Sequence, residues 1–200
     1  MKGAKTAGDI AAHLHDHTYG IASDPLAGTS IVFSALIHDI DHRGVSNAQL
    51  STENPDMASK FSNKSVAEQN SVTMAWDILM EERFKNLRSL MFETEEDLMH
   101  FRQLVVNMVL ATDIFDRELS ALRKSRWAAA FSGEEQFAGD ADQQRDTRAT
   151  VVLEHIIQAS DVSHTMQHWH VYCKWNSKLF QEMHKAYKEG RMAKDPATFW

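Results

Sequence analysis

Apolar residues recur along this chain at helical rather than strand spacing. Ile31, Val32, Phe33, Leu36 and Ile37 crowd the stretch from Ile31 to Asp41, which predicts a short helix, apolar nearly all round and therefore buried, stopped by Gly44. Asn54-Pro55-Asp56 is a break. Ser65-Val66-Ala67-Glu68 has the form of a capping box and predicts a helix to about Met80. Thr94-Glu95-Glu96-Asp97 opens another, with Leu98, Phe101, Val105, Met108 and Val109 on one stripe. Further helices are expected from about Phe115 to Phe131, Thr147 to His164 and Met166 to Glu189, where Gly190 ends the run. Residues 1–30 are mixed, with turn signals at Ser23-Asp24-Pro25 and at Gly28. Residues 132–146 are polar, carry two glycines and little periodicity, and read as a flexible surface loop. No segment alternates as a strand does. The pattern predicts an all-α domain of stacked helices, without internal repeat or domain boundary.

Composition supports that picture. Only 8 Gly and 3 Pro occur in 200 residues, too few for the frequent turns of a strand-rich fold. The formal net charge of -7 leaves no basic footprint for polymeric DNA or RNA. An acidic protein still handles a small phosphate ester when a metal supplies local positive charge. The one cysteine, Cys173, excludes an internal disulfide framework and suits a reducing, cytoplasmic setting. No apolar run approaches about 18 residues, so no membrane contact is expected from this segment. Met1 to Ala7 contains no signal-peptide core.

The chemistry concentrates in His38-Asp39-Ile40-Asp41-His42. On a helix, Ile31, Ala35, His38, Asp39 and His42 fall at i, i+4, i+7, i+8 and i+11, which is one face. The apolar stripe thus ends in a row of ionisable groups aimed inward. Burying imidazole and carboxylates together is costly unless something pairs with them, and a divalent metal does so. Asp161 continues the stripe of Leu153, Ile156, Ile157 and Ser160. It reads equally as a ligand brought across a bundle or as a buried Asp bonded to a backbone amide or a Ser. Glu68 is the fourth residue of the capping box, and Asp113 sits where a long apolar helix stops. Each serves either its local helix end or a metal ligand or water from one layer out. His13, His15 and His17 read as solvated and divergent. Trp169, Trp175, Phe180 and Tyr187 read as packing, and Cys173 as a structural thiol.

The stretch FSALIHDIDHRGVSNAQL resembles the metal-binding signature of class I cyclic-nucleotide phosphodiesterases, a branch of the HD-type phosphohydrolases. Its extended HDxDHxGxxN pattern is met by His38, Asp39, Asp41, His42, Gly44 and Asn47. NKSVAEQN, LVVNMVLATD and IIQASDVSH follow in the family's order and contribute Glu68, Asp113 and Asp161. The resemblance runs from about Ala12 to the end. It implies an all-α, multi-helix bundle and two divalent ions, zinc with magnesium or manganese. His38, Asp39 and Asp161 would be ligands, with Asp39 shared by both ions. Asp41, His42, Glu68 and Asp113 would act from one layer out, His42 supporting catalysis. Asp39, Asp161, Asn47 and His164 would face the substrate. The implied reaction is hydrolysis of cyclic AMP or cyclic GMP to the 5′-monophosphate, by a hydroxide between the ions and a histidine acid. That acid and a fourth ligand belong to an HNxxH motif that the family carries upstream, and HLHDHTYG does not match it. The family's purine-gripping glutamine lies beyond the matched stretch. The expectation is therefore one partial catalytic domain, residues 1–200, cut at both ends, from a larger multidomain protein. The alternative is a non-catalytic remnant that binds metal or nucleotide.

Overall fold

A computed structural model describes residues 6–131 and 140–199. Among these it contains ten α-helices and no strand: α1 (Ala7–His17), α2 (Pro25–Ile37), α3 (Asn47–Glu53), α4 (Pro55–Lys60), α5 (Val66–Met80), α6 (Lys85–Met91), α7 (Glu95–Ala111), α8 (Arg117–Phe131), α9 (Ala141–Asp161) and α10 (Trp169–Lys188). The all-α reading holds. Among the described residues no helix is long and apolar enough to cross a membrane.

The helix starts follow local chemistry. Thr94 accepts from the Asp97 amide while Asp97 accepts from the Thr94 amide, a full capping box at α7. Asp24 caps α2, with Pro25 at a first-turn position where its missing N–H costs nothing. Thr6 and Asp9 form a second box and start α1, a helix that the turn signals of residues 1–30 did not suggest. Asp140 caps α9 through the Gln143 amide, so 141–146 are helical where a loop was expected. That polar stretch carries good helix formers, and a cap suffices to start it. The rest of the expected loop, 132–139, lies outside the described residues.

Helix α7 is the central element. It packs against α2, α5 and α9, and α2 also touches α9. Phe101 of α7 is fully buried, with its ring 5.5 Å from Phe33 and 5.1 Å from Phe92. Val105 and Val109 continue that core toward Ile37 of α2 and Val72, Ala75 and Leu79 of α5. Leu104 and Met108 make a second core with Ala27, Leu153 and Ile157. The buried residues of α2 are Ala27, Ser30, Ser34 and Ile37, mostly small, which lets α2 lie close to α7. The expectation that α2 is buried all round fails. Val32 and Leu36 are 70% and 78% exposed, because α7 and α9 cover only one side of the helix.

The end of α7 is fastened by its neighbours. Arg123 of α8 donates to the carbonyls of Leu110 (3.4 Å) and Asp113 (3.0 Å). Gln158 of α9 donates to Ala111 O at 2.7 Å. These bonds satisfy carbonyls that a helix end otherwise leaves open.

Phe101 supplies the clearest test of this core. Phe101→Ala should lower unfolding stability by about 3–5 kcal/mol, since both transfer energy and a residual cavity oppose it. Urea unfolding followed by far-ultraviolet circular dichroism reads this. A change under about 1 kcal/mol would show that α7 is not the packing centre.

Candidate metal centre

Helix α2 ends one residue before His38, whose amide donates to Ser34 O at 2.9 Å. The helical register therefore does not run through Asp39 to His42 as the sequence spacing implied. Asp41 adopts a left-handed φ of 60°, which no continuing helix tolerates, and the chain turns there. His38 Nδ1 lies 2.9 Å from Ala35 O and donates to it. This leaves Nε2 as the outward atom, 3.4 Å from Asp39 Oδ2 and 3.4 Å from Asp161 Oδ1. The His38 side chain is 22% exposed, those of Asp39 and Asp161 66% and 35%.

Asp161 ends α9, and Val162–Met166 continue as a 3₁₀ turn. Leu153 and Ile157 are buried, but Ile156 and Ser160 are exposed, so the stripe leading to Asp161 is narrower than the spacing suggested. Asp161 sits at the rim of the helix layer. It still reaches His38 because α2 and α9 lie side by side. His164 is on the 3₁₀ turn, with Nδ1 3.4 Å from Asp161 O.

The pairing with Asp161 holds the His38 imidazole up at about 9, against its ordinary 6.5. Burial opposes this, while the Ala35 carbonyl and the Asp39 charge add to it. Both carboxylates turn onto Nε2 itself. Among the described residues no group of three His, Cys, Asp or Glu side chains closes around a common point as a metal would require. The donor set nevertheless fits a divalent cation. One imidazole nitrogen and two carboxylates suit zinc, magnesium or manganese, and the bond from Nδ1 to a backbone carbonyl is the outer partner that a ligating imidazole keeps.

The turn after His38 is fixed from several sides. Ser71 of α5 donates to Ile40 O at 2.8 Å. Asp41 pairs with Arg43 at 2.9 Å and accepts from Asn70 at 3.4 Å. The Gly44 amide donates to His42 Nδ1 at 3.2 Å. Gly44 has φ 67°, which favours glycine, and the Glu182 carboxylate of α10 lies over it, so that a Cβ there would make that side chain move. Asn70 and Ser71 stand in the sequence only as a departure from the resemblance, in Gln69-Asn70-Ser71, and no role in this turn was expected of them or of Arg43. Only the motif's need for a fixed turn hinted at them.

A buried polar layer lies behind the turn. Ser65 has φ 40° and makes no side-chain capping bond, which corrects the expected capping box. Its hydroxyl donates instead to Asp113 Oδ2 at 2.8 Å. Asn47 donates to Glu68 Oε2 (2.9 Å) and to Asp113 Oδ2 (3.1 Å), and accepts from the Ala67 amide (2.9 Å). The substrate-facing role expected of Asn47 therefore meets a side chain engaged within the protein. Asp113 is buried, and its Oδ1 also accepts from the amides of Phe115 and Asp116. Burial pushes the Glu68 carboxyl up; the Asn47 bond pulls it back, Asp113 pushes it further and His42 pulls it down.

The upstream histidines stay apart from this centre. His15 bonds Ser23, while His13 and His17 share an exposed face with ring centroids 4.0 Å apart, not the divergence expected of all three. A pocket of about 320 Å³ near His15, Asp24, His100 and Arg145 lies toward the opposite end of α2. Its Asp24 pairs with His100 and its Arg145 with Asp146 and, outside the lining, Asp142, and none of the candidate ligands lines it.

A sequence model described as 3′5′-cyclic nucleotide phosphodiesterase matches residues 9–198. The chain is 27% identical over 153 residues to the probable 3′,5′-cyclic-AMP phosphodiesterase pde-4 of Caenorhabditis elegans, covering 76% of this chain and 22% of that protein. It is 26% identical over 182 residues to the mouse dual specificity calcium/calmodulin-dependent 3′,5′-cyclic nucleotide phosphodiesterase 1C, covering 88% and 23%. The chain thus spans about a quarter of the length of these relatives. The phosphodiesterase domain of the RhoPDE fusion protein from the choanoflagellate Salpingoeca rosetta superposes with a TM-score of 0.65 at 19% identity, over 86% of this chain and 54% of that one, and shows the same fold.

The His38 pairing has a pH signature in the metal-free protein. Because the folded value lies above 6.5, the pairing adds stability that is fully present below pH 6.5 and is lost as pH rises through about 9. A nuclear magnetic resonance titration should find the His38 imidazole near 9, falling toward its ordinary value in Asp161→Asn. An unchanged titration in that variant would show that the two groups do not meet.

Proposed function

The chain belongs to the 3′5′-cyclic nucleotide phosphodiesterase family, and on that premise we propose that it contributes the metal-holding face of a site that hydrolyses cyclic AMP or cyclic GMP to the nucleoside 5′-monophosphate. The observation that carries this reading is His38. Its Nδ1 is committed to a backbone carbonyl and its Nε2 faces two carboxylates, one from the turn after α2 and one from the end of α9. In this reading His38, Asp39 and Asp161 hold a zinc ion, and Asp39 also serves a magnesium or manganese ion. Bound there, the two cations lower the pKa of water and neutralise charge building on the phosphoryl group.

The chain's own groups have separable tasks. His38 and Asp161 join α2 to α9 and fix where the phosphate is received. His42, with Nδ1 accepting from Gly44, keeps Nε2–H as its free donor. Asp41 is restrained by Arg43 and Asn70, so the turn keeps its shape as charge changes nearby. Glu68 and Asp113 supply negative charge from one layer behind. In this reading His164, on the turn after Asp161, contacts the substrate. No residue of this chain is assigned as the acid for the leaving oxygen. The proposed setting is a cytoplasmic, multidomain protein that contacts cyclic nucleotide rather than polymeric nucleic acid. Since the formal charge is -7 and the substrate is an anion, bound cations are also what reconcile the two.

A non-catalytic remnant is the second reading. It is favoured by one observation: among the described residues no three groups close around a common metal position.

Incubation with cyclic AMP and cyclic GMP in zinc and magnesium, with chromatography of the products, separates the two. Because no residue of this chain is assigned as the acid, the chain alone should turn over little or no substrate, and release of 5′-monophosphate, abolished by a chelator, is the expected result once a protein that also supplies a histidine acid is assayed. Asp161→Asn should lower kcat/KM by at least the roughly 10–100-fold typical of losing an outer partner of a ligand. Metal binding without turnover, even with that acid supplied, would establish the remnant. Turnover that survives both chelator and Asp161→Asn would overturn the metal assignment.

A further inference from the structure

We propose that Asn47 is a positioning residue that aims the Glu68 carboxylate at the metal centre by holding Glu68 and Asp113 on the two hydrogens of one amide. The proposal rests on the reading of Glu68 as a group that serves the second cation through water.

The geometry begins at Asp113. Four donors converge on its carboxylate: Ser65 Oγ and Asn47 Nδ2 on Oδ2, and the amides of Phe115 and Asp116 on Oδ1. The carbonyl of the same residue is held by Arg123. Asp113 is therefore an immobile post. Asn47 commits one N–H to that post and the other to Glu68 Oε2. Its own oxygen accepts from the Ala67 amide, in the first turn of the helix that carries Glu68. That bond replaces the cap that Ser65 would give, since the Ser65 hydroxyl is turned to Asp113. Asn47 thus grips α5 at its backbone and at Glu68 together.

The choice of residue follows. Two buried carboxylates side by side repel, and a neutral group with two donors separates them without adding charge. The same group must also accept a backbone N–H. Aspartate has no donor and serine has one. Asn47 holds Oε2, and the His42 charge pulls the Glu68 carboxyl down; in this proposal the other oxygen is the one that serves water at the metal centre. Without Asn47 the carboxylate keeps its helix position but loses its direction.

A purely structural Asn47 would also tie α3, α5 and the end of α7 together, so the test must separate tying from aiming. Asn47→Asp removes both donors. Adding Asp113→Asn returns one of them. The amide introduced at position 113, with its nitrogen in the place of Oδ2, donates to the carboxylate introduced at position 47 and to the Ser65 hydroxyl, which turns from donor to acceptor, while its oxygen still accepts from Phe115 and Asp116. The carboxylate at position 47 still accepts from Ala67. The tie is rebuilt with unchanged total charge, but position 47 no longer donates to Glu68 and sets a carboxylate beside it. Manganese is the probe, titrated by electron paramagnetic resonance on zinc-loaded protein, with thermal unfolding in parallel. Glu68→Gln should weaken manganese about 10–100-fold. The Asn47→Asp/Asp113→Asn pair should recover the thermal midpoint lost in Asn47→Asp yet bind manganese as weakly as Glu68→Gln, with no further loss when Glu68→Gln is added. Asn47→Ser, measured below its own unfolding midpoint, should show the same weakened manganese. Wild-type manganese affinity in either the double variant or Asn47→Ser, with Glu68→Gln weakened, overturns the positioning role alone. Wild-type affinity in Glu68→Gln removes the reading of Glu68 and the proposal with it.

Discussion

The contact between His38 and Asp161 exists because two helices share one support. Helix α7 is buried on several sides, and both α2 and α9 rest on it while touching each other. Ala27, Ser30 and Ser34 keep the α2 face shallow, so α2 sits close to α7 rather than riding over it. Leu153 and Ile157 do the same service for α9 with larger side chains. Once these faces are seated, the end of α2 and the end of α9 arrive at the same edge of the layer, 3.4 Å apart at His38 Nε2 and Asp161 Oδ1. A shift of either helix along α7 by one turn, about 5.4 Å, would separate them. The apolar packing is non-directional, but the discrete fit of side chains makes the register definite.

Polar groups then fix what packing leaves loose. The turn from Asp39 to Gly44 contains a left-handed Asp41 and a left-handed Gly44, conformations held from outside rather than by local preference. Ser71 and Asn70 of α5 hold it on one side, and Glu182 of α10 closes over Gly44 on the other. Arg191, just beyond α10, makes two 2.7 Å bonds to Glu53 of α3, so the C-terminal helix is tied to the element that carries Asn47. Behind the turn, the Asn47, Ser65, Glu68 and Asp113 layer is dense in hydrogen bonds. Such networks are rigid when complete and costly when one member is lost.

Exposed apolar surface accompanies this arrangement. Val32 and Leu36 lie on the uncovered side of α2, close in sequence to His38, and Trp169 and Trp175 are exposed on α10. Helix α10 buries only Ala186 among its residues. The site is thus built mainly on α2, α5, α9, the start of α3 and the end of α7, while α10 touches it at Gly44.

The helical class, the bounds of α5 and α8, the start of α7 and the cluster on which the proposed chemistry rests were legible in the chain before any coordinates, while the short helices α1, α3, α4 and α6 were not. Periodicity and caps are local properties, and the spacing of His38, Asp39, Asp41, His42, Gly44 and Asn47 is visible in one dimension. Thr94 to Asp97 were legible as a helix start for the same reason, and both partners of the box found there lie within one turn. Which groups face one another was settled by packing. The register through His42 failed because Asp41 leaves the helical region, in a turn held by contacts from α5. Ser65 and Glu68 look like a local cap in the sequence, yet their partners are Asp113, 48 residues on, and Asn47, 21 residues back. The separation of the histidines at 13, 15 and 17 from the centre and the exposure of Val32 likewise depend on what packs beside them. A one-dimensional pattern records what each side chain prefers. The partner that satisfies a buried polar group is set by helix packing, since the choice among donors is made only after the helices have met.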